Sequence, residues 1–227
     1  MNRRATRELL DTDSGTPEEV AGSLLDLESF NRHLGGIVTT RDLIRAVART
    51  IGRRELSLLE VAAGNGFVPA SVARDLNREG VTLHVTLLDR ASSHLPRNGG
   101  SQKVVADALT LPFAPSTFDL VSSSLFVHHL SPELAVRFAR EALRVSRIAV
   151  LINDLVRSQL HLALAYAGVP LYRSRLTRHD APASVKQAYT VEEMRAILFQ
   201  AGATNVVMRH HFLFRMGVIA WKRSHGI

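Results

Sequence analysis

Residues 58–66 read LLEVAAGNG, an apolar run closed by an acidic side chain and followed by a turn of small residues. Such a run suits a strand that hands the chain to a sharp turn. Gly64 and Gly66, with Ala62 and Ala63 before them, keep bulky side chains away from a place where the backbone must bend and a ligand can approach closely. The spacing predicts a helix over residues 67–79, with Pro69 tolerated in its first turn and Gly80 suited to its C-terminal cap.

The same unit recurs downstream. Residues 81–89 form a second apolar strand ending in Asp89, where a carboxylate can accept hydrogen bonds from two ribose hydroxyls. Residues 103–108 give a third strand, ending at Asp107 and Ala108, and 118–124 a fourth. Ser131 and Pro132 supply the N-cap and first residue of a helix through Arg144. Strand five, 147–155, carries the run IAVLI, as strands buried on both faces of a parallel sheet do. A capping box at Thr190 and Glu193 opens a helix over 191–201, and 204–210 and 212–221 read as two closing strands that pair antiparallel. Alternating strand and helix argues a doubly wound α/β core with ligands beyond the strand C-termini.

Two segments flank this core. Val20, Leu24, Leu27 and Phe30 recur at helical spacing behind Thr16 and Pro17, which predicts a helix over 17–33. A second helix is expected over 40–51, after a break at Gly35 and Gly36. Residues 157–189 interrupt the alternation after strand five, beginning as an apolar helix and continuing without clear periodicity. An insertion at that edge is expected to act as a lid over the ligand. The whole is read as one domain over 1–227: a helical cap to 52, a core over 53–155, the lid over 156–190 and a final helix and strands over 191–227.

The segments LLEVAAGNG, LLD, VADALTLPF and FDLVSSSLFVHHL resemble the class I S-adenosylmethionine-dependent methyltransferases, most closely the subgroup that includes the ubiquinone and menaquinone biosynthesis enzymes. The resemblance covers residues 38–223 as a seven-stranded, Rossmann-like fold. It implies S-adenosylmethionine as cofactor. By it Glu60, Ala62, Gly64, Asn65 and Gly66 would hold the methionine part, Asp89 and Arg90 the ribose, Asp107 and Ala108 the adenine, and Ser124 would sit at the fourth strand end. The family usually has Gly where this chain has Ala62. N-terminal helices in this family fold over cofactor and substrate, which makes Asn31 and Arg32 candidates for substrate contact and Arg41 a partner for the cofactor carboxylate. NRHLGG, SLFVHHL, VLINDLVRS and SRLTRHDAPASVKQAYT are similar to methyltransferases of bacterial polyketide and aromatic natural-product pathways, which implies O-methylation of a hydrophobic phenolic or quinol-like small molecule. A nicotinamide dinucleotide fold fits less well, because Phe67, Val68 and Pro69 follow Gly66 where the dinucleotide fingerprint needs a third glycine.

Methyl transfer asks the protein chiefly for alignment, and a phenol acceptor also needs its proton removed. An imidazole can take that proton at neutral pH. His129 is expected to be the base and His128 to orient or touch the acceptor, with Asn153 and Asp154, at the end of strand five, as the next candidates. Phe126, Asn153, Tyr172, Arg175 and His179 are the expected acceptor contacts.

Composition narrows the alternatives. The chain has no Cys, which excludes a disulfide framework and thiolate chemistry. Its ten His show no HExxH spacing and no close pair with carboxylates nearby in sequence, so no metal site is expected. The net charge of +7 raises the question of nucleic acid, but the basic residues are scattered and mostly Arg, where a phosphate-binding face would be clustered. An RNA methyltransferase and an inactive cofactor-binding subunit are the rival functions. No apolar run reaches the length of a membrane span, so a cytoplasmic monomer or homodimer is expected, unstructured only near residues 1–16.

Overall fold

The structure is a computed structural model that describes residues 1–10, 15–96, 100–211 and 214–222. Two helices, α1 (Pro17–His33) and α2 (Gly36–Ile51), precede β1 (Glu55–Val61), α3 (Phe67–Arg78), β2 (Thr82–Asp89) and β3 (Gln102–Val105). Next come β4 (Phe118–Ser124), a 3-10 turn (Val127–His129), α4 (Pro132–Val145) and β5 (Ser146–Leu155). Two helices after β5, α5 (Gln159–Gly168) and α6 (Arg175–Gln187), lead to α7 (Val191–Gln200), β6 (Asn205–His211) and β7 (Arg215–Trp221).

The seven strands form one sheet in the order β3-β2-β1-β4-β5-β7-β6. The first five are parallel, and β7 runs antiparallel to both β5 and β6. This is the doubly wound, seven-stranded α/β fold expected from the alternation. Side chains of successive strand residues point to opposite faces, and the core divides accordingly. Leu59, Val61, Val121, Val150 and Ile152 pack on the face that carries α4 and α7. Leu56, Leu58, Leu120, Ala149 and Leu151 pack on the face that carries α2 and α3.

Three expectations need correction. α2 begins at Gly36, four residues earlier than its apolar spacing suggested, because Gly35 in the left-handed region (φ 82°) serves as its N-cap. β3 ends at Val105, so Asp107 stands in the turn beyond it and accepts the Leu109 N–H at 2.8 Å. Residues 1–10 have almost no regular secondary structure but are tied down: the Arg3 guanidinium donates to the carbonyls of Gln187, His128 and Leu130 and lies over the Tyr189 ring.

At the edge of the sheet away from the strand C-termini, Asp119 locks β4 to β1. Its buried carboxylate accepts from the Ser57 N–H and hydroxyl, both at 2.9 Å, and from Arg53 and Arg147 at 2.8 and 2.7 Å. Burial alone would raise its pKa, but the Ser57 donors and the two guanidinium groups hold it below the ordinary carboxylate value. A depressed folded pKa gives stability that is present above the unfolded value of about 3.9 and lost as pH falls through the folded one. Asp119→Asn is expected to cost about 1.5–3 kcal/mol at pH 7, the scale of hydrogen bonds to a charged group. In urea titrations the gap to wild type should narrow as the pH is lowered below 4.

Candidate active site

A cavity of about 660 Å³ opens beyond the C-terminal ends of β1, β2 and β4, where the strand order reverses direction, and is roofed by α1, α5 and α6. Ligands bind at such switch points in open α/β sheets because the loops there diverge to opposite faces.

The glycine turn forms one wall. Ala62, Gly64 and Gly66 all have positive φ, at 54°, 52° and 71°. For Ala62 that conformation costs about 1–2 kcal/mol. Gly64 donates its N–H to Asp89 Oδ2 at 2.9 Å, and a Cβ at Gly64 would meet nothing within 4 Å, so the turn borders open space. Gly66 is outside the cavity lining; a Cβ there would come to 2.7 Å from Leu87, so its bareness lets α3 start against β2. Asn65 clamps the turn to α1, donating to Glu28 at 2.6 Å while accepting the Phe67 N–H at 3.1 Å.

Acidic groups line this end. Glu60 is 1% exposed, and its Oε2 is buried with no hydrogen-bond partner. Burial pushes its pKa up to about 7, against the pull of the Ser122 and Ser124 hydroxyls. A carboxylate in that state suits a cationic ligand that would restore the missing partner. Asp89 keeps Oδ1 on the Ala91 N–H at 3.0 Å. Arg90, Asp107, Ala108 and Ser124 line the same cavity.

At the other end the 3-10 turn after β4 brings in both histidines. His128 is 2% exposed; its Nδ1 lies 2.6 Å from Asp154 Oδ1 and its Nε2 3.6 Å from Glu8 Oε1. Burial alone would lower its pKa, but Asp154 and then Glu8 raise it to about 10. His128 is therefore an imidazolium at neutral pH. His129 is more open, with its side chain 20% exposed, its ring centroid 4.2 Å from that of His128 and its Nδ1 3.9 Å from Glu8 Oε1. Glu8 in turn accepts from Ser184 at 2.6 Å and Gln187 at 2.5 Å. Glu8, His128 and His129 could also supply three ligand atoms to a metal ion, since these atoms lie within 4.8 Å of one another. Contrary to the sequence reading, the histidine pair does have carboxylates beside it.

The remaining expected contacts divide. Phe126 and Tyr172 line the cavity. Arg32, Arg41, Asn153, Arg175 and His179 do not. Arg41 lies on α2, against the sheet face, 3.5 Å from Asp75 and 3.6 Å from Asp42. Arg32 lies over the Phe67 ring outside the cavity. Arg175 pairs with Glu19 at the surface, and His179 with Asp180 at 2.8 Å. Asn153 is a buried tie, donating to the Gly36 carbonyl and Thr40 hydroxyl and accepting from Arg215. Besides Arg90, Arg215 lines the cavity, donating to Leu34 O, Asn153 Oδ1 and Asn31 Oδ1. Sequence reasoning missed Glu8 and Arg215, for neither sits in a motif; the one available sign was an acidic residue in an otherwise basic N-terminal stretch.

Residues 59–149 match the family model described as a methyltransferase domain. None of the curated proteins matches the chain. Among solved structures the fold is similar to an O-methyltransferase family 2 protein from Planctomyces limnophilus in complex with apigenin (TM-score 0.61, 17% identity, 92% of this chain and 63% of that one). It is also similar to magnesium protoporphyrin IX methyltransferase from Synechocystis with bound S-adenosylhomocysteine (TM-score 0.54, 14% identity, 83% and 82%). A Nostoc punctiforme protein shares the fold at TM-score 0.55 and 13% identity, and the chain spans 59% of its length. The matched segment contains the glycine turn, all three acidic positions and the histidine pair, so the likeness to a methyltransferase domain falls on residues that line this cavity.

Proposed function

We propose that the chain methylates the hydroxyl of a small, hydrophobic, phenolic or polyketide-type acceptor. The observation that carries this reading is a single cavity with acidic groups at one end and a histidine pair among apolar side chains at the other. Leu27, Phe30, Phe126, Leu130, Leu155 and Phe214 line it with the two histidines, as small-molecule sites combine apolar walls with a few convergent polar groups. The cofactor supplies an activated methyl group on a sulfonium. In this reading Glu60 holds its ammonium, Asp89 its ribose hydroxyls and Asp107 its adenine amine.

His128 is held between Asp154 and Glu8, both of which favour its protonated form, so it serves as a positioning residue, and His129 takes the acceptor's proton. Glu8 stands close enough to His129 to meet the charge that appears when the proton arrives. His129→Ala is expected to lower turnover by about 10² to 10⁴, the usual worth of general-base catalysis, with cofactor affinity kept and with partial recovery at high pH as the phenol ionises by itself. Normal turnover of a folded His129→Ala protein at neutral pH would remove this role.

Cofactor binding has its own tests. Asp89→Ala should weaken S-adenosylhomocysteine binding by about 1.5–3 kcal/mol in calorimetry, through loss of charge-assisted hydrogen bonds. Glu60 gives a pH signature. Its raised folded pKa means that the ligand-free protein loses stability from this group as pH climbs from about 4.3 toward 7. A bound ammonium favours the ionised form, so affinity should rise severalfold between pH 6 and pH 7.5. That slope should be absent in Glu60→Gln, and a wild-type affinity flat over the same range would place the ammonium elsewhere.

A further inference from the structure

Helix α5 reads QLHLALAYAG, ten residues without a charged side chain, and only Ala165 among them is buried. A helix that is apolar all round belongs in an interior. One side of α5 has its reason, because His161, Leu164 and Ala165 line the cavity. The other side does not: Leu160 is 62% exposed, Tyr166 51%, and Leu171, in the turn that follows, 83%. Leu164 belongs to both surfaces, lining the cavity while 48% exposed, so the outer apolar face runs without a break into the cavity wall.

The charge around this face has one sign. Residues 155–179 contain no Asp or Glu, and up to residue 191 the only one is Asp180, which is buried and accepts the Leu9 and Leu10 N–H groups. Arg173, Arg175 and Arg178 are exposed at the start of α6. Lys186 reaches the Tyr166 hydroxyl at 2.7 Å and lies over its ring. From α1, packed against α6, Glu19 is engaged by Arg175, and Asp26 is buried under the Arg173 and Ser174 N–H groups.

We propose that this lid face, Leu160 to Leu171 with its basic rim, docks on an anionic lipid bilayer. Exposed leucines and a tyrosine flanked by Arg and Lys are the composition of an interfacial segment, whose apolar side chains enter the acyl boundary while the cations meet anionic headgroups. Lys186 on Tyr166 has the amphipathic geometry that such a boundary favours. A second copy of the chain fits less well. In a two-fold interface the same patch faces itself, which would set one basic rim against another with no acidic residue of the patch to pair it. No helix of the described residues is long and apolar enough to cross a membrane, and the contact proposed is a peripheral one. Its use rests on the reading above: a hydrophobic acceptor dissolved in the bilayer would reach the cavity past Leu164 without crossing water. The docking itself does not depend on catalysis.

Vesicle sedimentation of the full chain tests it, with phosphatidylcholine alone and with a 7:3 mixture of phosphatidylcholine and phosphatidylglycerol. The protein is expected to pellet with the anionic vesicles and to be released in large part by high salt. A Leu160→Asn, Leu171→Asn protein should bind at least tenfold more weakly. Arg173→Gln, Arg178→Gln should lose the preference for anionic vesicles. Circular dichroism and S-adenosylhomocysteine binding, measured in parallel, show whether each variant is folded. If wild type ignores both vesicles, or the leucine variant binds as wild type does, the proposal fails. A concentration-dependent dimer in sedimentation equilibrium that the leucine substitutions abolish would assign the face to a second copy instead. Absent cofactor binding with intact vesicle binding would overturn the methyltransferase reading and leave this one standing.

Discussion

The ligand edge of this protein is organised around one buried cation. His128 sits between Asp154, at the end of β5, and Glu8, from the N-terminal segment. An imidazolium removed from water loses several kcal/mol of hydration, and good geometry with opposite charges is what repays it. Each partner of His128 belongs to a different part of the chain. Asp154 also accepts the His128 N–H at 3.1 Å, fixing the turn after β4, while Glu8 accepts from Ser184 and Gln187 on α6. The core sheet, α6 and residues 1–10 are therefore held by one charge network. Removal of either carboxylate leaves a buried charge short of a partner, which costs more than the pair itself contributes.

The same network accounts for the odd composition of α6. Its buried residues include Thr177, Asp180, Ser184 and Gln187, polar groups that would be unfavourable in an ordinary core. Each has a partner in the flanking segments: Thr177 with Ser23 on α1, Asp180 with the Leu9 and Leu10 N–H groups, Ser184 and Gln187 with Glu8. Helix α6 is thus joined to α1 and the N-terminal segment by directional bonds.

That explains which parts could be read from the sequence and which could not. β1, the glycine turn and α3 were legible because an apolar run, small residues and a capping glycine lie side by side, and because Thr190 and Ser131 announce helix starts locally. α6 was not, since polar side chains share its inward face and Pro182, a residue that argues against a helix, stands inside it, so no apolar period marks it. Glu8 lies 120 residues from the histidines that it meets, and nothing local reports such a contact. Arg41 was misplaced by treating the N-terminal helices as one cover: α1 lines the cavity, whereas α2 packs Leu43, Ile44 and Val47 against the sheet.

The glycine-turn end of the cavity carries costs that the chain does not recover by itself. Ala62 and Leu125 both stand at φ 54°, at the ends of β1 and β4, where an L-residue is strained. Glu60 has a buried oxygen without a partner a few residues away. Neither feature helps the fold by itself. A ligand that brings a positive charge to Glu60 turns the second cost into a charge-assisted hydrogen bond, and the strained turn at Ala62 already leaves the space beside Gly64 through which that ligand reaches the backbone. Affinity at such a site comes partly from supplying the partner that a buried carboxylate lacks.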